Sequence, residues 1–162
     1  MSLSARHTIY LLAIVALLSA SCGKEQSAQQ YLQRGMTLYD EGNLVKARLE
    51  FKNALQIDPK DAEAWLMLAK VAEQQQEWRS AYSAYAKTVE LTPGNHEARI
   101  KLGNLLLAGN NVDEALAEAD AVLATNPKDP AALALRGLTR LRQGNSDAAL
   151  TDAVAALQQA PE

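Results

Sequence analysis

The feature that most constrains the fold of this chain is an internal period of 34 residues. Four of the five prolines keep this spacing, and so do a series of alanines, a series of small residues and a series of large apolar residues. The series are Pro59, Pro93, Pro127 and Pro161; Ala47, Ala81, Ala115 and Ala149; Gly35, Ala69, Gly103 and Gly137; and Leu55, Val89, Leu123 and Leu157. Four independent series with one period indicate a tandem repeat of one structural unit.

Each series has a mechanical role in a pair of helices. A small residue on the first helix lets a neighbouring helix approach closely, and proline ends the unit because it cannot continue a helix. Aromatic residues make up only 5% of the chain, which favours closely packed helices over a β-sandwich. We expect side-chain N-caps for the first helices at Asp61, Asn95 and Asp129, and for the second helices at Asn43, Asn111 and Asn145. The sequence therefore predicts an all-α fold of helix-turn-helix units.

These residues resemble the signature of the tetratricopeptide repeat (TPR) family. The second unit matches best, through Trp65, Leu68, Ala69, Ala81, Tyr85 and Pro93. The resemblance implies a right-handed solenoid of about four TPR units at 28–61, 62–95, 96–129 and 130–162, of which the last is a candidate for truncation. Either the chain is the N-terminal piece of a longer protein, or a partner covers that end. Arginines stand where the family usually has apolar residues, and we interpret their stems as covering apolar surface: Arg34, Arg99, Arg136 and Arg140.

The N-terminal segment has the pattern of a secretion signal. A short polar start with Arg6 precedes ten apolar residues at 9–18, and small residues then lead to Cys22, the only cysteine. The apolar run is shorter than the roughly 20 residues that a membrane span needs. The segment resembles a bacterial lipoprotein signal, which implies a signal peptide over 1–21, lipidation of Cys22 and a short tether over 22–27. The alternative is an ordinary signal peptide with an incidental cysteine.

The residue after the cysteine, Gly23, bears on location. In Gram-negative lipoproteins, a residue other than aspartate at this place implies sorting to the outer membrane. The resemblance therefore implies a lipid-anchored protein on the periplasmic face of the outer membrane, and the inner membrane remains open as an alternative.

Composition argues against several classes of function. The net charge of -3 and the lack of a basic cluster argue against nucleic acid as the main partner. One cysteine and two histidines leave no ligand set for a metal. The chain also lacks a Ser/His/Asp set, a glycine-rich phosphate loop and a matched pair of carboxylates. We therefore predict a protein that is not an enzyme and that has no catalytic residues, metal site or cofactor.

The TPR resemblance implies a concave groove lined by the first helices, in which a protein or peptide ligand binds. The family's groove positions correspond to Leu32, Met36 and Tyr39; Leu66, Lys70 and Glu73; Ile100, Asn104 and Leu107; and Ala134, Leu138 and Leu141. This mostly apolar stripe suits an amphipathic or apolar segment. A carboxylate clamp from Lys70, Lys101 and Asn104 is the alternative, but it lacks the family's second asparagine. Trp78 lies at an inter-helix turn, where packing over the helix pair competes with ligand contact.

Our leading hypothesis is a membrane-anchored periplasmic scaffold in an envelope assembly, polysaccharide export or protein-sorting system. The phrases at 50–59 and 119–137, with the lipoprotein start, resemble the N-terminal part of PEP-CTERM system TPR-repeat lipoproteins. A pilotin or outer-membrane assembly lipoprotein is one alternative. A structural spacer or self-associating element is another, because the last predicted helix presents apolar residues for end-to-end association: Leu150, Val154 and Leu157.

Overall fold

A computed structural model describes residues 27–159, which form eight α-helices and no strand. The helices are α1 (27–40), α2 (Leu44–Ile57), α3 (Ala62–Gln74), α4 (Trp78–Leu91), α5 (His96–Ala108), α6 (Val112–Thr125), α7 (Pro130–Arg142) and α8 (Ser146–Gln159). The prediction of an all-α fold built from helix-turn-helix pairs is confirmed. The predicted signal peptide, Cys22 and nearly all of the tether lie outside the described residues.

The described residues divide into two compact units, of which the first ends at Val71 and the second begins at Ala72. In the first unit, α1, α2 and the start of α3 enclose an apolar core around the fully buried ring of Phe51. Gly35 on α1 faces this ring, and a Cβ added at Gly35 would lie 2.5 Å from Phe51 Cε1. The periodic small residue therefore permits the close approach that the sequence predicted. Arg34 stacks on Tyr31, 4.5 Å from the ring centre, and pairs with Glu50 on α2 at 3.2 Å.

In the second unit, successive helices from α4 to α8 pack against one another, and α7 also packs against α5. The buried core includes Tyr85, Val122 and Leu135. Gly103 repeats the role of Gly35, because an added Cβ would collide with the side chain of Leu135 on α7. The helices up to α7 thus bury the face that carries their periodic small or apolar residue, whereas the periodic Leu157 of α8 is 75% exposed.

The N-caps follow the sequence with one exception. Asp61, Asn95 and Asp129 each accept a hydrogen bond from the backbone N–H three residues later, at 2.9 to 3.0 Å. Asn43 and Asn145 do the same for α2 and α8 at 3.3 Å. The prediction for Asn111 is wrong, because its side chain makes no capping bond to α6.

The turns inside the helix pairs share one left-handed residue. It falls at Gly42, Gln76, Asn110 and Gly144, where φ lies between 58° and 81°. These positions are again 34 residues apart. Glycine adopts this conformation without a Cβ clash, and asparagine tolerates it, but glutamine is strained there.

We expect Gln76→Gly to raise the free energy of unfolding by about 0.5–1 kcal/mol, because it relieves the left-handed strain at the cost of some backbone entropy. The measurement is urea unfolding followed by circular dichroism. Gln76→Ala is the matched control and should bring no gain, since alanine keeps the Cβ. Asn110→Gly should bring a smaller gain than Gln76→Gly. An equal gain from the alanine variant would contradict the assignment to backbone strain.

Candidate functional site

An apolar groove with a cavity volume of about 560 Å³ lies between α7 and α8. Four leucines and five small residues contribute most of its lining, which consists of Ala134, Gly137, Leu138, Leu141, Ser146, Ala149, Leu150, Ala153, Ala156 and Leu157. The four leucines are 51% to 75% exposed. Exposed leucine side chains grouped along one groove are typical of a surface that another protein covers.

Helical spacing brings these residues together. The α7 residues recur at intervals of three and four, and so do those of α8, so each set forms one stripe along its helix. The sequence assigned Leu138 and Leu141 to a partner groove and Leu150 and Leu157 to end-to-end association. The structure brings all four into the same groove. Val154 is 45% exposed but lies outside the lining.

The preceding repeat has an equivalent surface, but there a helix covers it. Residues 34 positions before the groove lining lie on α5 and α6, and most of them are buried, including Gly103, Leu107, Ala115, Ala119, Val122 and Leu123. The helix that covers them is α7, which packs against both α5 and α6. Leu135 of α7 reaches Gly103, while Ala132 and Leu133 of α7 join the core cluster of Val122 and Leu123.

The groove between α7 and α8 therefore has the form of a helix-binding surface. Its equivalent on α5 and α6 accepts a helix, and Leu135 of that helix packs where Gly103 has no side chain. Within the part of the chain that the structure describes, no helix occupies it. The small residues Gly137, Ala149 and Ala153 were not predicted as site residues, although their 34-residue spacing from buried residues was visible in the sequence.

A buried carboxylate holds the two helices of the groove together. Asp152 on α8 has a side chain only 3% exposed. Arg136 on α7 donates to it through Nε at 3.0 Å and through Nη2 at 2.7 Å. Arg140 donates through Nη1 at 2.7 Å, and Arg136 Nη1 also lies 3.4 Å from Asp120 of α6. The hydrogen bonds from Arg136 to Asp152 raise the pKa of that guanidinium, so its cationic form is favoured.

These contacts correct the interpretation of the unusual arginines. Their stems were expected to cover apolar surface, but the guanidinium groups of all four pair with acids on a second helix. Arg99 binds Glu118 at 2.6 Å and also donates to the carbonyl of Pro93. The acids follow the period of 34, or a multiple of it, as Glu50, Glu118 and Asp152. That regularity was the signal that could have identified the pairs from the sequence.

We expect Asp152→Ala to lower the free energy of unfolding by about 3 kcal/mol, because it leaves two half-buried guanidinium groups without their carboxylate. Asp152→Asn should lose less, since its amide oxygen still accepts one bond. Asp147→Ala, at the exposed start of the same helix, is the control and should change stability by no more than about 1 kcal/mol. Urea unfolding measures all three variants, and similar losses at both positions would contradict a special role for the buried carboxylate.

The predicted groove residues of the first unit lie mostly in or beside its core. Leu32 is 1% exposed and packs in the core cluster, which corrects its assignment to a ligand surface. Met36 and Tyr39 are half-buried and pack against the same cluster. Leu66 and Lys70 are also half-buried.

The remaining predicted residues lie in the second unit. Leu107 is 8% exposed, so its assignment to a ligand surface is corrected as well. Ile100 is half-buried and packs against the core cluster around Val122, whereas Asn104 is exposed. Ala134 is exposed and belongs to the α7–α8 groove.

Glu73 is engaged within the fold. Its carboxylate accepts a hydrogen bond from the Tyr85 hydroxyl at 2.5 Å and from Lys101 Nζ at 2.6 Å, and so connects three helical segments within the second unit. The carboxylate-clamp alternative needed Lys101 for a ligand, but that cation already forms an ion pair within the protein.

Residues 27–159 offer neither a metal site nor a membrane span. No group of three or more His, Cys, Asp or Glu side chains in this range could hold a metal ion. None of its helices combines the length and the apolarity that crossing a membrane requires.

Comparison with known proteins identifies the family to which the chain belongs. A family model described as the cytochrome c-type biogenesis protein H TPR domain matches residues 19–162. Among curated proteins, the DnaJ homolog subfamily C member 3 of Bos taurus is 30% identical over 122 residues, which are 74% of this chain and 24% of that protein. The chain thus spans about a quarter of the length of that relative.

A bacterial protein is also similar to this chain in sequence, and a solved structure is similar to it in fold. The type IV pilus assembly protein PilF of Pseudomonas aeruginosa is 28% identical over 93 residues, which cover 57% of this chain and 37% of PilF. A crystal structure of MamA superposes with a TM-score of 0.74 at 22% identity, covering 98% of this chain and 95% of that one. The superposition confirms the helical-repeat fold.

Proposed function

Because this chain belongs to the cytochrome c-type biogenesis protein H TPR domain family, we propose that it is a TPR scaffold whose α7–α8 groove binds an amphipathic helix of a partner protein. The observation that supports the groove most directly is its repeat equivalent on α5 and α6, which is filled by α7. A partner helix with small and apolar residues at spacings of three and four would match the exposed leucines. TPR proteins of this kind act as interaction scaffolds, and their family is not one of enzymes.

The site of action in this proposal is the cell envelope. Cys22 would anchor the chain through acyl chains, with the repeats on the periplasmic face of the outer membrane. The names of the family and of PilF concern biogenesis and assembly, which favours a role in recruiting or ordering the components of an envelope assembly. The polysaccharide-export and protein-sorting roles rest only on the PEP-CTERM resemblance, which the comparisons leave as a prediction.

A second candidate function is self-association. The same exposed leucines could cover those of a second copy, and the chain would then serve as a spacer or self-associating element. The two candidates differ in the mass of the complex that forms through the groove.

We expect a photo-crosslinking residue at Leu150, introduced in cells, to give a discrete adduct with one partner protein. Thr151 is the matched control, because it is exposed on the next position of α8 but lies outside the groove. Leu138→Glu across the groove should weaken the adduct from Leu150 by about tenfold or more, as loss of an apolar anchor does in other interfaces. Its helix content should stay unchanged, since the side chain is exposed.

The adduct mass then separates the candidates. An adduct with a different protein supports the partner scaffold, and its identification by mass spectrometry names the assembly. An adduct at twice the chain mass supports self-association instead. Equal adducts from Leu150 and Thr151, or no change with Leu138→Glu, would overturn the groove as the binding site.

The anchor has a separate test. We expect Cys22→Ser to abolish incorporation of a labelled fatty acid and to release the chain from the membrane fraction, because its thiol is the only one in the sequence. Ser21→Ala keeps a small residue before the cysteine and should retain both the label and the membrane fraction. Unchanged membrane retention of Cys22→Ser would contradict the lipid anchor.

A further inference from the structure

A second groove in the Ala72–Glu162 unit lies between the start of α4 and the end of α5, with a cavity volume of about 840 Å³. Its aromatic side is formed by Trp78 and Tyr82, one helical turn apart on α4. Leu105 and Leu106 contribute apolar lining from α5. This α4–α5 groove shares no lining residue with the α7–α8 groove.

The aromatic pair is not explained by the packing of the repeat. Trp78 is 54% exposed and Tyr82 is 40% exposed. The positions equivalent to Trp78 in the other units hold Leu44, Val112 and Ser146, and those equivalent to Tyr82 hold Arg48, Leu116 and Leu150. The helix pairs therefore form without aromatic residues at either position. Two large exposed rings side by side are the kind of anchor that binding surfaces use.

The groove is also rich in hydrogen-bond donors that the fold does not use. Over residues 27–159, the Trp78 indole N–H has no protein acceptor, whereas the indole of Trp65 donates to the Pro59 carbonyl at 2.9 Å. The side chain of Asn111 makes no hydrogen bond within the described residues, neither through its amide N–H groups nor through the oxygen that caps the helix at Asn43 and Asn145. Indole N–H groups only donate, so they suit a ligand that offers acceptors.

Charge narrows the choice of ligand. Arg79 is the one charged side chain among the lining residues, and it forms no ion pair with any residue of the described range. A guanidinium beside an aromatic pair is complementary to a carboxylate next to an apolar side chain. An extended peptide supplies the remaining acceptors through its backbone carbonyls.

We propose that the α4–α5 groove binds an extended acidic peptide segment, with an apolar side chain against Trp78 and Tyr82 and a neighbouring Asp or Glu on Arg79. The backbone carbonyls of the segment accept hydrogen bonds from the Trp78 indole and the Asn111 amide. The site is independent of the α7–α8 groove, so one chain engages two different surfaces.

The test is selection of random peptides displayed on phage by the immobilised full chain. Peptides that pair an apolar residue with an adjacent Asp or Glu should be enriched, and Trp78→Ala should weaken their binding by about tenfold. Arg79→Glu should reverse the selected charge, so that Lys or Arg replaces the acid. Arg142→Glu is the matched control, because Arg142 is an exposed arginine of α7 outside both grooves.

The outcomes separate this site from the proposed scaffold groove. Leu138→Glu should leave the enriched peptides unchanged, and their loss in that variant would assign them to the α7–α8 groove and overturn the proposal. Failure to enrich acidic peptides, or equal enrichment by Trp78→Ala, would also overturn it. A dimer in sedimentation analysis that Trp78→Ala abolishes would assign the α4–α5 groove to a second copy of the chain instead.

Discussion

At three glycines of the described helices, the absence of a side chain permits a neighbouring helix to pack in close contact. The ring of Phe51 occupies the place of a Cβ at Gly35, and the side chain of Leu135 does so at Gly103. At Gly137 the neighbour is the backbone of α8, with the Ala149 carbonyl 3.3 Å from an added Cβ. Because this small position recurs every 34 residues, the caps, turns and ion pairs that depend on helix position recur with it.

The sequence was informative wherever structure depends on neighbours along the chain. Helix pairs, the N-caps of the first helices and the glycine contacts all follow from local spacing. The ion pairs were missed because each arginine was judged alone, as a departure from an apolar position. Arg34 and Glu50 occupy the places of Arg136 and Asp152, and in the second unit these places hold Leu68 and Ala84, so both charges are absent together.

The spacing of residues along the sequence could not predict which side chains are exposed. Leu107 and Leu141 are the same residue type at equivalent positions, yet the first is 8% exposed and the second 56%. The difference arises because α7 packs on α5 and α6, whereas no described helix packs in the same way on α7 and α8. A stripe of apolar residues therefore identifies a face of a helix, but only the packing of the next helix decides whether that face is core or binding surface.

The carboxylate of Asp152 affects the free energy with which the α7–α8 groove would bind a partner. Its bonds to Arg136 and Arg140 fix one helix against the other on the side away from the leucines, so the two sides of the groove are already held at their spacing. Little entropy remains to be lost by the protein when a helix enters. The ordering cost then falls on the partner segment, and the lifetime of the complex depends on how well that segment keeps its own helical form.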